Sequence, residues 1–406
     1  MKVCYWGTYQ RGYIRNQVIL SGLTKAGVEV WECHVPVWQD EAEDKVAAMA
    51  GLAGRLRFLF RLLNAYPRLA WRFLRCPSPD AMFIGHLGHL DMLVAWPLAR
   101  WRGIPIVFDA HLSLFDMVVQ DRGLHSPRSW IGRICRTIDW LSCRLADRIL
   151  LAEQATIEFF CREYGLSCER FTRVFVGANT DVFAPGDHPT PDGTFTVVHF
   201  GKYIPLHGMD VILHAAKRLE AMPDIRFRLI GQGQLYADAK RLAAELDLRN
   251  VEFVPWVTPR ELREHIRLAD VCLGIFGRTQ KAGRVIPNKV YESLAMARPL
   301  ITGDTEAARE LLEHGRTALL CPMANPEALA QAILVMKQDA TLRMRIGAAG
   351  YELFQRRCAP EVLGLEVRRC LELAIAARDG RGGALGDPGS GVDRAESPCG
   401  RSRVSG

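Results

Sequence analysis

Short β-rich runs separated by stretches of helical length recur in two series along the chain, and this rhythm constrains the fold more than any other feature. "KVCYWG", "VEVWECH", "AMFIGH", "IPIVFDA", "DRILLAE" and "RVFVGAN" form the first series; "FTVVHFG", "RFRLIG", "VEFVPW", "VCLGIF", "RPLITG" and "TALLCP" form the second. Apolar strands alternating with helices make parallel sheets, because a parallel neighbour is reached only through a crossover. Between the series lies "APGDHPTPDGT", residues 184–194, where Pro, Gly and Asp interrupt regular structure. The expected architecture is α/β, with two Rossmann-like, doubly wound parallel-sheet domains, 1–183 and 195–378, facing across a cleft. Ligands of such sheets bind beyond the carboxyl ends of the strands, so the cleft is the expected site. Residues 379–406 are too poor in large apolar side chains to pack and read as a disordered tail.

Composition narrows the partners. Apolar residues make up 49% of the 406, enough for two cores. The formal charge of +7 suits phosphate-bearing ligands or an anionic membrane surface and does not single out nucleic acid, which is not expected as a partner. Twelve cysteines stand singly, with no C-x-x-C pair, and read as reduced small apolar residues of a cytoplasmic protein. The N-terminus lacks a leader pattern, and no run approaches the ~18 to 20 apolar residues that span a bilayer.

Two stretches carry anion-binding chemistry. In "VIPNKVYESLAMARPLI", residues 285–301, Pro287 suits a first helical turn, leaving the N–H groups of Asn288 and Lys289 at a positive helix end. Such an end attracts phosphate. Glu292, one turn on, can accept hydrogen bonds from vicinal hydroxyls such as those of a ribose, or can simply complement the dipole, worth about 0.3–1 kcal/mol. In "FGKYIPLHGMDVILHAAKRL", Gly201 ends a strand, and Lys202 and His207 flank a helix start, where they can hold a diphosphate or stand as solvated loop residues.

With these residues the order of "RLIGQGQ", "VEFVPWVTPRELREHIRLADVCLGIF" and "IPNKVYESLAMARPLITGDTEAARELLEHGRTALLCP" resembles the carboxyl half of the group 4 (glycosyl transferase group 1) retaining glycosyltransferases of GT-B fold. The first half resembles them more loosely, through "GTYQRGYIRNQVILSGLTKAGVEV", "GIPIVFDAHLSLFD" and "ADRILLAEQATIEFFCREYGL". The resemblance implies transfer of a sugar from a nucleotide diphosphate donor to a hydroxyl acceptor, with retained configuration, by a metal-independent enzyme without cofactor. It implies that Lys202 and His207 grip the diphosphate, that the amides near Asn288 and Lys289 assist, and that Glu292 takes the ribose. His111, in "FDAHLSLFD", matches the active-site histidine beside the donor sugar, although neighbouring backbone could also satisfy it. Gly12 would let the first loop pass close to donor or acceptor, and Gly231 would line the nucleotide side. His86, His89 and Asp91 have the residue types of a metal site, but the resemblance implies no metal.

The sequence departs from that pattern at His207, where an Arg or Lys is common, and at Arg284, where many members carry a glutamate eight residues before Glu292. Ala297 and Arg298 also stand where a Gly and a basic residue usually precede the proline. A GT-B nucleotide-sugar epimerase and a non-catalytic nucleotide-sugar binder therefore stay open as alternatives. Residues 51–76 alternate Arg with Leu, Phe and Trp and hold no acid. They read either as a helical pair packed on the first domain or as an amphipathic segment lying peripherally on an anionic membrane, which would suit a lipid-linked acceptor.

Overall fold

The computed structural model describes residues 1–37, 51–187 and 193–380. Residues 188–192 of the expected linker and nearly all of the expected tail lie outside these residues.

The first series of runs becomes β1 (Lys2–Gly7), β2 (Glu29–His34), β3 (Ala81–Ile84), β4 (Ile106–Asp109), β5 (Arg148–Leu151) and β6 (Phe171–Arg173). They form one parallel sheet in the order β2-β1-β3-β4-β5-β6. The second series becomes β7 (Phe195–Phe200), β8 (Ile225–Ile230), β9 (Val251–Val254), β10 (Val271–Leu273), β11 (Leu300–Gly303) and β12 (Leu319–Cys321), in the order β12-β11-β10-β7-β8-β9. Each order reverses direction once, beside β1 in the first sheet and beside β7 in the second. The loops after β1 and β7 therefore open at the switch points where doubly wound sheets bind ligands.

Helices cover both faces. In the first domain α1 (Ile14–Lys25) lies on one side, while α2 (Gly51–Leu74), α3 (Asp91–Arg102), α4 (Trp130–Leu145) and α5 (Gln154–Tyr164) follow along the chain. The second domain adds α6 (Met209–Arg218), α7 (Tyr236–Glu245), α8 (Pro259–Arg267), α9 (Asn288–Ala295), α10 (Glu306–Arg309), α11 (Pro326–Gln338), α12 (Ala340–Arg357) and α13 (Pro360–Arg378). Residues 51–74 are one helix, continuous through Pro67, not the pair expected. Its apolar stripe of Leu62, Ala65, Leu69 and Phe73 is buried, which is why it docks at all.

The domain grouping read from sequence changes at the last helix. The expected second domain runs to residue 378, yet α13 crosses back and packs along α1 of the first domain. Two glycines permit this: a Cβ on Gly364 would meet the Gly22 carbonyl oxygen at 2.0 Å, and one on Gly22 would meet the Pro360 oxygen at 2.4 Å. Large side chains at either position would hold the two helix backbones apart.

The expectation that every cysteine is a free thiol fails at one pair. Gly165, left-handed at φ 62°, ends α5 and turns the chain back, bringing Cys161 and Cys168 together in a disulfide. The cysteines therefore no longer argue for a reducing compartment. Cys4, Cys33 and Cys76, far apart in sequence, bring their sulfurs within 4.8 Å of one another in the core of the first domain. No helix among the described residues is long and apolar enough to cross a membrane.

Candidate active site at the interdomain cleft

The second domain supplies a cationic pocket. β7 ends at Phe200, and Gly201 follows at φ 119°, a backbone that side-chain-bearing residues rarely adopt. A Cβ there would lie 3.6 Å from Lys289 Nζ and 3.4 Å from the His207 ring, so glycine keeps the approach to both open. Lys289 comes from the second residue of α9, and Pro287 caps that helix with extended backbone, one residue earlier than the sequence suggested. The amides of Asn288 and Lys289 still head the helix, as expected.

Lys289 is buried, and its Nζ lies 2.6 Å from His199 Nε2 and 3.3 Å from His207 Nδ1. Burial holds Lys289 well below the usual ammonium range, with Glu292 pulling it back up. His199 and His207 are both held well below ordinary imidazole values by burial and by the charge of Lys289. Glu292 is half-buried, and desolvation pushes it up to about 7 against the pull of Lys289. Three bases are thus packed together with one nearby carboxylate, and burial holds each base toward its neutral form.

Lys202 lies on the loop next to Gly201, half-buried, and its backbone hydrogen-bonds the His207 ring. Gly231 has a packing reason of its own. At φ 128° it lies so close to the neighbouring loop that a Cβ would meet the Gly201 carbonyl oxygen at 2.1 Å. It fixes the path of Gly201, whatever it lends to a ligand.

The first domain faces this pocket with rings. The loop after β1 carries Gly12 in its turn and then Tyr13, whose hydroxyl lies 3.3 Å from His111 Nε2. Tyr13 also stacks on His86 and hydrogen-bonds Asn288 of the opposite domain. His111 follows β4 with left-handed backbone, φ 54°, and its ring meets that of His86 edge-on at 4.7 Å. Burial together with the charges of Arg15 and Lys281 keeps His111 well below the usual imidazole range. Its Nδ1 is buried and finds no protein partner among the described residues. The candidate residues named from sequence thus come from both domains: His111 and Gly12 from the first, Gly201, Lys202, His207, Asn288, Lys289 and Glu292 from the second.

The other first-domain candidates have structural partners. Asp109 is clamped by Arg15, whose Nε lies 2.9 Å from Oδ2. Asp91 accepts from the Thr8 amide and hydroxyl at 2.7 and 2.9 Å, and His89 bonds the Leu112 carbonyl at 3.1 Å. His86, His89 and Asp91 thus serve different neighbours.

Sequence reasoning missed His199, Tyr13 and the bonds that span the cleft. Arg284 reaches across to Asp116 at 2.6 Å and lies over the Phe159 ring. The Ile286 amide donates to Glu153 at 2.9 Å, and Thr279 donates to Asp121 at 3.1 Å. Glu310 caps α5 from the opposite domain, accepting from the amides of Gln154 and Ala155. His199 had one legible signal: it stands second from last in a buried strand that ends at the switch point.

Residues 17–182 match the family model "Glycosyltransferase Family 4", and residues 194–339 match "Glycosyl transferases group 1". The fold agrees with solved structures over almost the whole chain. Anabaena Alr3699/HepE in complex with UDP and glucose superposes with a TM-score of 0.65 at 15% identity, covering 92% of this chain and 99% of that one. Sucrose-phosphate synthase from Thermosynechococcus elongatus gives a TM-score of 0.69 at 15% identity, covering 93% and 100%. The chain has the GT-B fold, and each of its halves matches a glycosyltransferase family model.

Among curated proteins, this chain is 27% identical over 275 residues to a D-inositol 3-phosphate glycosyltransferase of Thermobifida fusca, a match covering 63% of this chain and 61% of that protein. It is 30% identical over 170 residues to a phosphatidyl-myo-inositol mannosyltransferase of Mycobacterium tuberculosis, covering 40% and 43%. The chain thus matches less than two thirds of the length of these relatives.

Proposed function

We propose that the protein transfers a sugar from a nucleoside diphosphate to a hydroxyl acceptor, with retained anomeric configuration. One observation carries the reading: Lys289, wedged between His199 and His207 behind Gly201, forms a buried basic cluster at a helix start, with Glu292 one turn along. A diphosphate placed there would meet Lys202, Lys289 and the α9 amides, and Glu292 would accept from the ribose diol. As the glycosidic bond breaks, charge builds on the leaving diphosphate, and these fixed donors stabilise it without reorganising. His111, across the cleft, would orient the sugar through its hydroxyls. Gly12 and Gly231 would border the donor as loop backbone.

Support comes from the two matched family models and from the relatives, whose names describe sugar transfer to inositol phosphate and phosphatidyl-myo-inositol. By the same token the acceptor here is read as a lipid-linked or polyol hydroxyl. The setting is read as the cytoplasmic face of a membrane, with residues 51–76 in peripheral contact.

The test is calorimetric titration of uridine, guanosine, adenosine and thymidine diphosphates and their sugars, followed by product analysis with a lipid-linked acceptor. Binding of one nucleotide class, with release of free nucleoside diphosphate and an α-linked product from an α-linked donor, is the expected result. Release of an isomerised sugar, or binding with neither transfer nor slow donor hydrolysis, would overturn it.

A further inference from the structure

Three cysteine sulfurs that play no part in the cleft meet in the core of the first domain. Cys4, Cys33 and Cys76 are all buried, and their Sγ atoms lie within 4.8 Å of one another. Among the described residues no other three metal-ligating side chains converge in this way. Cys143, buried in the same core layer, stands outside the group.

Separate elements deliver the three sulfurs to one place. β1 and β2 run in parallel with Cys4 opposite Trp31 and Trp6 opposite Cys33, so the two cysteines are diagonal neighbours on one face of the sheet. α2 packs on that face, and the turn that ends it, where the Cys76 amide donates to the Phe73 carbonyl at 3.0 Å, brings in the third sulfur. Arg102, the last residue of α3, clamps this turn by donating to the carbonyls of Leu74 and Cys76 at 2.9 and 3.0 Å. Met82 on β3 is in register with Cys4 and adds a thioether to the same face.

The spacing suits an ion better than a bond between the two strand cysteines. Two residues of rise and one strand spacing put their Cα atoms about 8 Å apart, beyond the ~7 Å that a disulfide tolerates. Three sulfurs bound about 2.3 Å from a common centre stand about 3.8–4.0 Å from one another, so the cluster would close by no more than about 1 Å to hold a metal.

We propose that Cys4, Cys33 and Cys76 form a structural site for one thiophilic d10 metal ion, Zn2+ or Cu+. Soft sulfur ligands select such ions, whereas Mg2+ and Ca2+ need oxygen. Each thiol releases its proton to solvent as its sulfur bonds the ion, and no oxidation state changes. Three thiolates leave a single net negative charge with the divalent ion and a double one with the monovalent ion, and the Arg102 guanidinium at the Cys76 turn offsets part of it. The ion would staple the β1–β2 edge of the sheet to the end of α2, segments far apart in the chain. Because the unfolded chain has no such preformed site, binding stabilises the fold. The proposal uses no residue of the transfer reaction, and its test needs neither donor nor acceptor.

The experiment strips the full chain of metal under reductant, then titrates it with Zn2+ and, separately, with Cu+ against a chromophoric chelator. The wild type is compared with Cys4→Ala, Cys33→Ala and Cys76→Ser, and with Cys143→Ala as the control cysteine, each checked by circular dichroism. The expected result is one ion per wild-type chain, a raised melting temperature, and a roughly 100-fold or greater loss of affinity in each of the three variants but not in the control. X-ray absorption on the loaded wild type, which depends on no variant folding, should show three sulfurs at about 2.3 Å from the metal. Four results would each overturn the proposal: no stoichiometric binding of either ion, wild-type affinity in the three variants, a first shell made of nitrogen and oxygen, or a disulfide joining any two of these cysteines in the chain isolated without reductant.

Discussion

Lys289 Nζ sits 2.6 Å from His199 Nε2, in a space where both groups are buried. Two bases share that contact, and burial keeps both from carrying their ordinary charge. The unfolded chain binds a proton at Lys289 up to about pH 10.4, and the folded chain gives it up at a much lower pH. In that window the unfolded state holds more protons, so this residue's contribution to stability falls as pH falls. Lys289→Met should therefore raise the melting temperature at neutral pH while abolishing the further rise that nucleoside diphosphate gives. Thermal melting with and without ligand checks both halves. A variant that melts lower and still responds to ligand would contradict the assignment.

In the proposed donor complex Glu292 and Lys202 address different parts of the same ligand. Glu292→Gln keeps the shape and removes the charge that strengthens a hydrogen bond to the diol, a loss of about 1.5–3 kcal/mol, or roughly 10- to 100-fold in affinity. Because Glu292 is pushed up to about 7, wild-type affinity should weaken as pH drops through that value, and the variant should lack this acid limb. Lys202→Ala should weaken binding of the diphosphate and of the diphosphate sugar alike. Titration calorimetry between pH 5.5 and pH 8.5, values chosen to bracket a carboxylate that titrates near 7, reads all three.

Much of this site was legible before the structure. Gly201, Lys202, His207, Asn288, Lys289 and Glu292 are local to two motifs, each a strand end or a helix start, and local chemistry predicts where such residues point. The twelve strands were legible because apolar runs broken by glycine leave few alternatives. What could not be read is what depends on two distant segments meeting. Lys289 was read only for its amide at the helix start, and its side chain is buried against His199, ninety residues earlier. Arg284 looked like the loss of a carboxylate and is an ion pair to the other domain. The crossing of α13 onto α1 turns on two glycines, Gly22 and Gly364, whose spacing carries no periodic signal.

Arg284 and Asp116 tie the domains together. Their contact is 2.6 Å, with little exposure on either side chain, and Lys281 approaches the same carboxylate at 3.9 Å. Breaking a buried pair from one side strands a charge, so Arg284→Ala and Asp116→Ala should each destabilise more than the double variant implies. A coupling of about 1–3 kcal/mol in a denaturation cycle is expected, with the single variants expanded in small-angle scattering. Additive single effects would mean the pair does not hold the cleft.

Glu153 is buried at the domain junction, accepting from the Ile286 amide and from Thr156, and desolvation pushes it up to about 7. A carboxyl raised in the fold binds its proton more tightly there than in the unfolded chain. Its contribution is present below the unfolded value and is lost as pH climbs to about 7. The shift corresponds to about 3 kcal/mol over that interval. Glu153→Gln cannot ionise, so its stability relative to wild type should grow by about that amount between pH 4.5 and pH 7 and then level off. Chemical denaturation across the range checks it, and a constant difference would mean that Glu153 does not titrate there.

Ala297 follows α9 with left-handed backbone, φ 54°, at the position where the family resemblance places a glycine. Its amide donates to the Leu294 carbonyl at 3.0 Å, and its own carbonyl lies where a Cβ on Gly347 would meet it at 2.5 Å, so α12 holds the conformation in place. A Cβ in that region costs about 1–2 kcal/mol, whereas glycine has no such clash and loses only about 0.5–1 kcal/mol more chain entropy on folding. Ala297→Gly should therefore raise stability by about 0.5–1 kcal/mol, while nucleotide affinity stays unchanged because α9 keeps its amino end where it was. Denaturant midpoints at unchanged slope would report the gain. A loss of stability would mean that the Ala297 methyl packs well enough to outweigh its strain.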